Sequence, residues 1–192
     1  METCPDPART DPAPAQEAWV EQLRIITAAG RFHAGEVSVQ RAIGELLGLV
    51  RDLLNLEVVF VSEVVNGHRV FRYIESQDDA SHIRPGHSAP LEQTICQRIL
   101  DGRMPNLVRD VSAVREAQGL PRVFEGMGTH IGVPVRMADG RLYGMLCGFN
   151  MSGVTELDER DLRRLEVAAG AAARLLASAD GREHTPSDPA LT

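Results

Sequence analysis

The fold is decided by residues 128–150, which read GTHIGVPVRMADGRLYGMLCGFN. An Asp-Gly step between two apolar runs is a strong signal for a β-hairpin, because glycine adopts positive φ freely. We therefore predict two strands joined by a turn at residues 138–140. Gly144 and Gly148 interrupt the second strand, and glycine inside a strand indicates a bulge or the close approach of another group. That group is either a ligand in a pocket against the sheet or a packed neighbouring helix.

Length and composition favour one globular domain and exclude several classes of function. The chain has 192 residues, enough for a core that needs no disulfide or metal. Its formal net charge is -7 and it has no basic patch, so we expect no nucleic-acid partner. All 20 basic residues are arginine, which excludes Schiff-base chemistry on lysine.

The cysteines and the chain ends indicate a cytoplasmic protein. Cys4, Cys96 and Cys147 lie far apart without a CxxC pair, a pattern typical of reduced, intracellular proteins. The N-terminus is proline-rich and acidic, with no apolar core for a signal peptide. The apolar stretch over residues 167–179 is interrupted by Arg174 and is too short to cross a bilayer. We expect no membrane partner.

Periodicity and turn signals divide the chain into two tails and one domain. Residues 1–16 and 181–192 are predicted to be disordered tails, and residues 17–180 a single domain with an N-terminal helical extension. The predicted helices cover residues 17–29, 36–54, 90–100 and 155–179, and the predicted strands cover residues 56–65, 68–75, 105–111, 129–136 and 141–149. Thr155 is predicted to cap the last helix, with Asp158 reaching back in a variant of the capping box.

This α+β order of elements resembles the GAF domain family over about residues 36–179. The resemblance rests on four segments in the right order. The central helix and the segment after it correspond to PLEQTICQRILDGRMP at 90–105, and the next strand corresponds to LVRDV at 107–111. The hairpin corresponds to IGVPV at 131–135 with GRLYG at 140–144. The final helix corresponds to TELDERDLRRL at 155–165.

The resemblance implies an architecture and a broad function. It implies a twisted antiparallel sheet of about six strands, with the terminal helices on one face and a ligand pocket under the central helix and loops on the other. We expect a non-catalytic sensory or regulatory module that binds an unidentified small molecule. Only 12 residues follow Asp180, so the signal is expected to pass through the terminal helices to a separate protein, unless the tails connect to one. A degenerate interaction module, with the pocket filled by its own side chains, is the alternative, because fold alone does not settle function.

Two chromophore classes of the family are not expected here. Phytochrome-type domains attach a bilin to a cysteine in the loop before the central hairpin, and residues 112–126 contain no cysteine. Haem-binding members use a histidine shortly before the Gly-Val-Pro strand. His130 stands six residues past that place, which is occupied by Phe124. Neither a covalent bilin nor a haem is therefore predicted, and the cofactor is unknown.

Cyclic-nucleotide binding is supported only in part. Asn150, Asp158 and Glu159 match the scattered signature of the members that bind cyclic nucleotides. Met151 stands where that signature has lysine, and Val154 stands where it has phenylalanine. The missing lysine removes a salt bridge to the aspartate.

An enzymatic alternative resembles the free methionine-R-sulfoxide reductases of the family. Cys96 stands fourteen residues before Asp110, near the place where those enzymes keep one cysteine. Their reaction needs a second thiol in the loop before the hairpin. That loop has none here, since Cys147 lies on a strand and Cys4 in the tail.

The candidate ligand pocket comprises Tyr73, Glu92, Cys96, His130 and Tyr143. His130 either points into the pocket and titrates near neutrality or is a hydrogen-bonded strand residue. Cys96 is either a small buried hydrophobe or a redox sensor. Tyr143 suits a pocket wall or a cross-strand pair, and strand alternation sends Tyr73 to one face and its neighbour Arg72 to the other.

Three further predictions concern residues of the central helix, two histidines and the terminal helices. Glu92 and Arg98 of the central helix are each either a surface group or a ligand contact, and the surface position is the one expected. His82 and His87 are expected to be exposed loop residues, so no metal is predicted. The terminal helices are expected to form a homodimer through the faces around Leu23, Ile26, Leu162 and Ala169.

Overall fold

Six strands and five α-helices occupy the part of the chain that the computed structural model describes, residues 13–32, 36–77, 83–151 and 153–183. The helices are α1 (Ala13–Phe32), α2 (Glu36–Leu54), α3 (Ile95–Leu100), α4 (Val111–Val114) and α5 (Glu159–Glu183). The strands are β1 (Val58–Val65), β2 (His68–Ser76), β3 (Ser88–Pro90), β4 (Leu107–Val108), β5 (His130–Arg136) and β6 (Leu142–Phe149).

The strands form one antiparallel sheet in the order β3-β2-β1-β6-β5-β4, which confirms the predicted fold class. The predicted hairpin turn between β5 and β6 is present, with Gly140 at a φ of 84°. The β1–β2 hairpin turns through Asn66 and Gly67, whose φ values of 48° and 75° suit a tight two-residue connection.

Helices α1, α2 and α5 cover one face of the sheet. Their apolar stripes meet the residues of β1, β5 and β6 that point to this side, because side chains alternate between the two faces of a strand. This helix-side core contains Leu46 and Leu47 of α2, Leu165 of α5, and Val133 and Leu146 of the sheet. None of the helices described here is long and apolar enough to cross a membrane.

The residues predicted to form a dimer face are part of this helix-side core. Leu23, Ile26 and Ala169 are buried within it, and Leu162 packs against it. They therefore stabilise the protomer and are not available to a second copy. The apolar stripe of an amphipathic helix has this appearance in a sequence whether it faces its own sheet or a partner.

The termini of the outer helices differ from the predictions. Helix α1 begins at Ala13, within the predicted tail. Helix α5 begins at Glu159, and Asp158 rather than Thr155 caps it. The Asp158 carboxylate accepts hydrogen bonds from the backbone N–H of Arg160 and Asp161 at 2.7 and 3.2 Å. The Asp161 carboxylate accepts from the Asp158 N–H at 3.0 Å, so a capping box forms one turn later than predicted.

The segments that connect the long helices and strands contain shorter elements than the sequence patterns predicted. The predicted central helix divides into a 3₁₀ turn (Leu91–Gln93) and α3, because the Thr94 hydroxyl caps α3 by accepting from the Gln97 N–H at 3.3 Å. Strand β3 lies inside a predicted loop, and only β4 remains of the strand predicted over residues 105–111. The loop over residues 112–126 holds most of α4 and a 3₁₀ turn (Arg122–Phe124).

The two glycines of β6 serve packing of the protein itself. A Cβ on Gly144 would lie 1.8 Å from the carbonyl oxygen of Ser62 on the neighbouring strand. A Cβ on Gly148 would lie 2.5 Å from Cδ1 of Leu56, a helix-side core residue. At Gly144 the close neighbour is therefore the backbone of a strand, and at Gly148 it is a core side chain. Neither position indicates a ligand.

Candidate functional site

The other face of the sheet, here called the pocket face, is apolar and lies under α3. Phe60, Phe71 and Phe149 meet edge to face, with ring centroids 4.8 Å apart for Phe60–Phe71 and 6.2 Å apart for Phe60–Phe149. Met145 of β6 and Ile95 of α3 belong to the same buried cluster. Such edge-to-face contacts stabilise an aromatic floor for the site.

Four groups with polar or reactive atoms meet on this apolar face. They are Arg69, Cys96, His130 and Cys147, which we call the polar cluster. Gly132 makes room for two of them, since a Cβ there would lie 2.8 Å from Sγ of Cys147 and 3.1 Å from Cε1 of His130. The cross-strand pair of Gly132 with Cys147 sets this closeness, and α3 adds Cys96 from above.

Arg69 is a cation without a counterion in the described part of the chain. Its Cζ lies 3.9 Å from the ring centroid of Phe71, a cation–π contact. Its Nε is buried and has no hydrogen-bond partner, whereas another part of the side chain hydrogen-bonds Cys96. Among the described residues, Arg69 forms no ion pair with a carboxylate, unlike its strand neighbour Arg72, which pairs with Glu63. Burial lowers the pKa of Arg69, and the neighbouring Cys96 and Cys147 oppose that shift. The guanidinium stays charged at neutral pH, so its burial costs free energy.

The two thiols of the cluster influence each other. Both are buried and free of any disulfide. Hydrogen bonding with Cys147 lowers the pKa of Cys96, Arg69 acts in the same direction, and burial opposes both. Burial and the proximity of Cys96 raise the pKa of Cys147. The pair therefore loses a first proton more readily than an ordinary thiol and a second one less readily.

His130 points to the pocket face but does not titrate near neutrality. Its side chain is only 3% exposed, and Nδ1 has no hydrogen-bond partner. Burial lowers the pKa of His130 to about 4, and the positive charge of Arg69 adds to the shift. The imidazole is therefore neutral at physiological pH, so the first of the two alternatives given for His130, titration near neutrality, does not hold, and the unpartnered Nδ1 differs from the hydrogen-bonded second alternative.

We predict that His130 makes the protein less stable in mild acid. The unfolded imidazole takes up a proton below a pH of about 6.5, whereas the folded one does so only below about 4. The free energy of unfolding should therefore fall as the pH is lowered through this window, by on the order of 3 kcal/mol in total. Urea unfolding between pH 4.5 and 7 should show a flatter pH dependence for His130→Gln than for the wild type. His87→Asn, at an exposed histidine, is the control, and equal slopes for wild type and His130→Gln would contradict the assignment.

Three of the predicted pocket residues lie elsewhere. Tyr73 pairs with Val61 beyond a bulge in the β1–β2 ladder and packs against the helix-side core. Tyr143 lies at the register shift between β5 and β6 and packs on that same side. Glu92 is exposed in the 3₁₀ turn. Of the predicted pocket residues, Cys96 and His130 come together. A register shift beside each tyrosine reverses the alternation of its strand at that point, so both tyrosines lie on the helix side.

Arg98 is buried, which corrects the prediction of a surface group. The residue is 5% exposed, and its guanidinium donates to four backbone carbonyls. The acceptors are Glu92 at 2.8 Å, Thr94 at 2.9 Å, Gln118 at 2.8 Å and Gly119 at 2.9 Å. Arg98 therefore ties α3 to the loop after α4 and supports the roof of the site.

Two of the three residues that match the cyclic-nucleotide signature, Asn150 and Asp158, have structural partners here. The Asn150 side chain accepts from the Glu57 N–H at 2.8 Å and donates to the Thr155 hydroxyl. The Thr155 N–H in turn donates to the Thr129 hydroxyl at 2.8 Å. Asp158 caps α5, as described above. These contacts join the start of β1 to the segment between β6 and α5, so the fold explains the match at Asn150 and Asp158.

Sequence reasoning missed Arg69, the residue that dominates the charge of the site. The available signal was its position two residues before Phe71 on a strand, where an arginine shares a face with a buried phenylalanine. The segment was predicted only as the returning strand of a hairpin, with no site residue at position 69. His82 lies outside the described residues, and within them no three His, Cys, Asp or Glu side chains group as metal ligands.

Comparison with known proteins identifies what the chain resembles. The family model described as a GAF domain matches residues 36–177. None of the curated proteins compared with the chain matches its sequence.

Several solved structures share the fold. The GAF domain of the Acinetobacter phosphoenolpyruvate-protein phosphotransferase has a TM-score of 0.65 at 17% identity, covering 85% of this chain and 95% of that one. A phycoerythrobilin-bound GAF domain from a cyanobacterial phytochrome has a TM-score of 0.66 at 18% identity, with coverages of 86% and 98%. The free methionine-R-sulfoxide reductase from Neisseria meningitidis, in complex with its substrate, has a TM-score of 0.63 at 17% identity, with coverages of 91% and 96%. At these identities the likeness concerns the fold alone.

Proposed function

Because the chain belongs to the GAF domain family, we propose that it is a non-catalytic sensory module that binds a small molecule at the pocket face and signals to a separate protein. One observation carries the proposal: Arg69, a half-buried cation without a described carboxylate partner, lies on an otherwise apolar face. Apolar sites with a few convergent polar groups are typical of small-molecule binding. The phytochrome domain of the same fold holds phycoerythrobilin, which supports the use of this fold for small ligands.

The strands offer a route from the pocket face to the terminal helices. On β5, His130 and Gly132 face the pocket side. Ile131 and Val133 alternate with them along the strand and belong to the helix-side core. Helix α5 packs directly across β5. A ligand that displaces β5 therefore acts on α5 without any intervening element, and α5 is the element we propose to contact the partner.

Native mass spectrometry of freshly purified protein tests the proposal. We expect a mass excess that disappears on denaturation, because a module with an unneutralised cation in its site retains a ligand from the cell. An absorbance scan of the same sample separates coloured ligands from colourless ones. A clean apo mass, together with no stabilisation by any compound in a thermal-shift screen, contradicts the proposal and favours the degenerate interaction module.

The polar cluster favours one second candidate, a thiol-dependent reductase of free methionine-R-sulfoxide. Cys96 and Cys147 lie together, although Cys147 is not in the loop where the family keeps a second thiol. The reaction would convert the sulfoxide and two thiols into methionine, a disulfide and water. Absence of NADPH oxidation in a thioredoxin-coupled assay would exclude this candidate. Activity that survives in Cys96→Ser would remove Cys96 from the mechanism.

We also propose self-association through the terminal helices, but through residues other than those predicted from the sequence. The outer surfaces of α1 and α5 expose Ile25 and Val167, which are not part of the helix-side core. Light scattering on dilute protein tests the homodimer, and a monomeric mass would remove it.

A further inference from the structure

The two thiols of the polar cluster lie side by side. Cys96 of α3 and Cys147 of β6 are free, are buried in the same cluster and share a hydrogen bond. A Cβ on Gly132 would lie 2.8 Å from Sγ of Cys147 and 3.3 Å from Cδ1 of Ile99, so α3 lies directly over this strand pair. A disulfide brings two sulfurs to about 2.0 Å, which is a small approach from hydrogen-bond contact.

The groups around Cys96 favour a negative charge on its sulfur. The Arg69 side chain hydrogen-bonds Cys96, and Ser62 and Thr94 do so through their side chains. Hydrogen bonding with Cys147 and the charge of Arg69 lower the pKa of Cys96 to about 7, although burial opposes them. An adjacent arginine is a common cause of thiolate character in reactive cysteines. Because this pKa lies near neutrality, part of the molecules carry the thiolate at physiological pH.

The other groups that face Cys96 assign different roles to the two thiols. Burial and the proximity of Cys96 raise the pKa of Cys147, so this second thiol keeps its proton. His130 of β5 is buried and neutral and therefore adds no charge. Arg69 is half-exposed and contacts Cys96, so one side chain separates that sulfur from solvent. Cys96 is therefore the nucleophile of the pair, and Cys147 is the thiol that reacts second.

We propose that Cys96 and Cys147 are a redox-active pair that a hydroperoxide oxidises to a disulfide, with Arg69 as the residue that activates Cys96. The inference goes beyond the proposed sensory function, because it needs no bound ligand. The Cys96 thiolate attacks one peroxide oxygen and the O–O bond breaks, which gives a sulfenic acid and a hydroxide that takes up a proton to become water. Cys147 then attacks the Cys96 sulfur, the S–O bond breaks, and a second water leaves. The two thiols lose two electrons in total, and the peroxide gains them.

The disulfide would change both the attachment of α3 and the charge of the site. It would join α3 covalently to β6, which lies between β1 and β5 in the sheet. It would also remove the thiolate that faces Arg69, so the cation would lose its internal partner. A dithiol reductant restores both thiols by exchange and becomes a disulfide itself. Oxidation is therefore a reversible change at the pocket face.

Oxidation of the full chain by hydrogen peroxide tests the inference. Reduced protein is treated at pH 7 with about 1 mM peroxide. The remaining thiols are blocked after denaturation, and the unreduced peptides are mapped by mass spectrometry. We expect the loss of two hydrogen atoms and a link between Cys96 and Cys147, which dithiothreitol reverses. Cys4→Ser should give the same product, since Cys4 is not a member of the pair.

Substitutions separate the roles of the three residues. Cys96→Ser should form neither the link nor a sulfenic acid, and Cys147→Ser should accumulate a sulfenic acid on Cys96 that dimedone traps. Arg69→Met should slow oxidation at pH 7 at least tenfold. It should also move the midpoint of the rate–pH profile from about 7 toward that of an ordinary thiol. Arg69→Lys should keep part of the rate, because lysine retains the charge.

Arg72→Met is the matched control. Arg72 is exposed on the same strand and pairs with Glu63, so its loss should leave the oxidation rate unchanged. Absence of a disulfide after peroxide treatment, a disulfide through Cys4, a sulfenic acid on Cys147, or a wild-type rate in Arg69→Met would each overturn the inference. Circular dichroism of every variant confirms that a slower reaction is not loss of fold. These results do not depend on a bound ligand, so failure here leaves the native mass spectrometry test of the sensory function unaffected.

Discussion

Gly144→Ala is expected to destabilise the protein by more than about 3 kcal/mol, a large part of the stability of an ordinary domain. The new Cβ would lie 1.8 Å from the carbonyl oxygen of Ser62 and 2.8 Å from Cα of Glu63. Both are backbone atoms of β1, the strand that pairs with β6 in the centre of the sheet. The clash cannot be relieved by a side-chain rotation, so the two strands must separate. Urea unfolding followed by circular dichroism measures the loss.

A graded set of glycine variants provides the controls. Gly44→Ala, inside α2 and with no atom within 4 Å of the new Cβ, should stabilise the protein by about 0.5–1 kcal/mol. Gly148→Ala should fall between the two, because its close neighbour is the mobile end of Leu56. An unfolding midpoint of Gly144→Ala equal to that of the wild type would show that the approach of β1 and β6 is not as close as described.

Arg98→Met is expected to cost about 3–5 kcal/mol and to loosen the roof of the site. The substitution keeps most of the apolar stem but removes the donors to the carbonyls of Glu92, Thr94, Gln118 and Gly119. The carbonyl of Thr94 would remain buried without a partner, and the other three would lose their partner in a partly buried place. Hydrogen exchange should therefore accelerate in α3 and in the loop after α4, in addition to the loss measured by urea unfolding.

Arg103→Met is the matched control for Arg98. Arg103 lies five residues later, is exposed, and pairs with Asp101 at 2.6 Å on the surface. Exposed ion pairs contribute between zero and about 1 kcal/mol, so this variant should change stability little. Similar losses for the two variants would contradict the assignment of Arg98 as a buried tie between α3 and the loop.

Local patterns were sufficient for the elements whose signals lie close together in the chain. The Asp-Gly and Asn-Gly turns, the two strands of the central hairpin and the apolar stripe of α2 each depend on neighbouring residues, and the structure confirms all of them. The first residue of α5 was harder to predict from the sequence. Thr155 and Asp158 are both good caps, and only the contacts of Thr155 with Asn150 and Thr129 remove it from that role.

The candidate site depended on information that a strand pattern does not contain. A bulge in the β1–β2 ladder shifts the alternation by one residue, which moves Tyr73 to the helix side. Arg98 looks like a surface residue at its helical position, because the loop that buries it lies about twenty residues later in the chain. Burial and partners of this kind are long-range properties, and a window of neighbouring residues cannot report them.

The sequence by itself determined the fold class, the GAF family and the two central hairpins, since local turn chemistry and hydrophobic periodicity specify these. Only the tertiary structure decided which side chains share the pocket face. Strand pairing brings Cys147 beside Gly132 and His130, and α3 places Cys96 next to them. The half-buried Arg69 lies over the Phe71 ring and forms no ion pair with a described carboxylate. The physical reason is that charge balance and desolvation depend on distances between residues far apart in the chain.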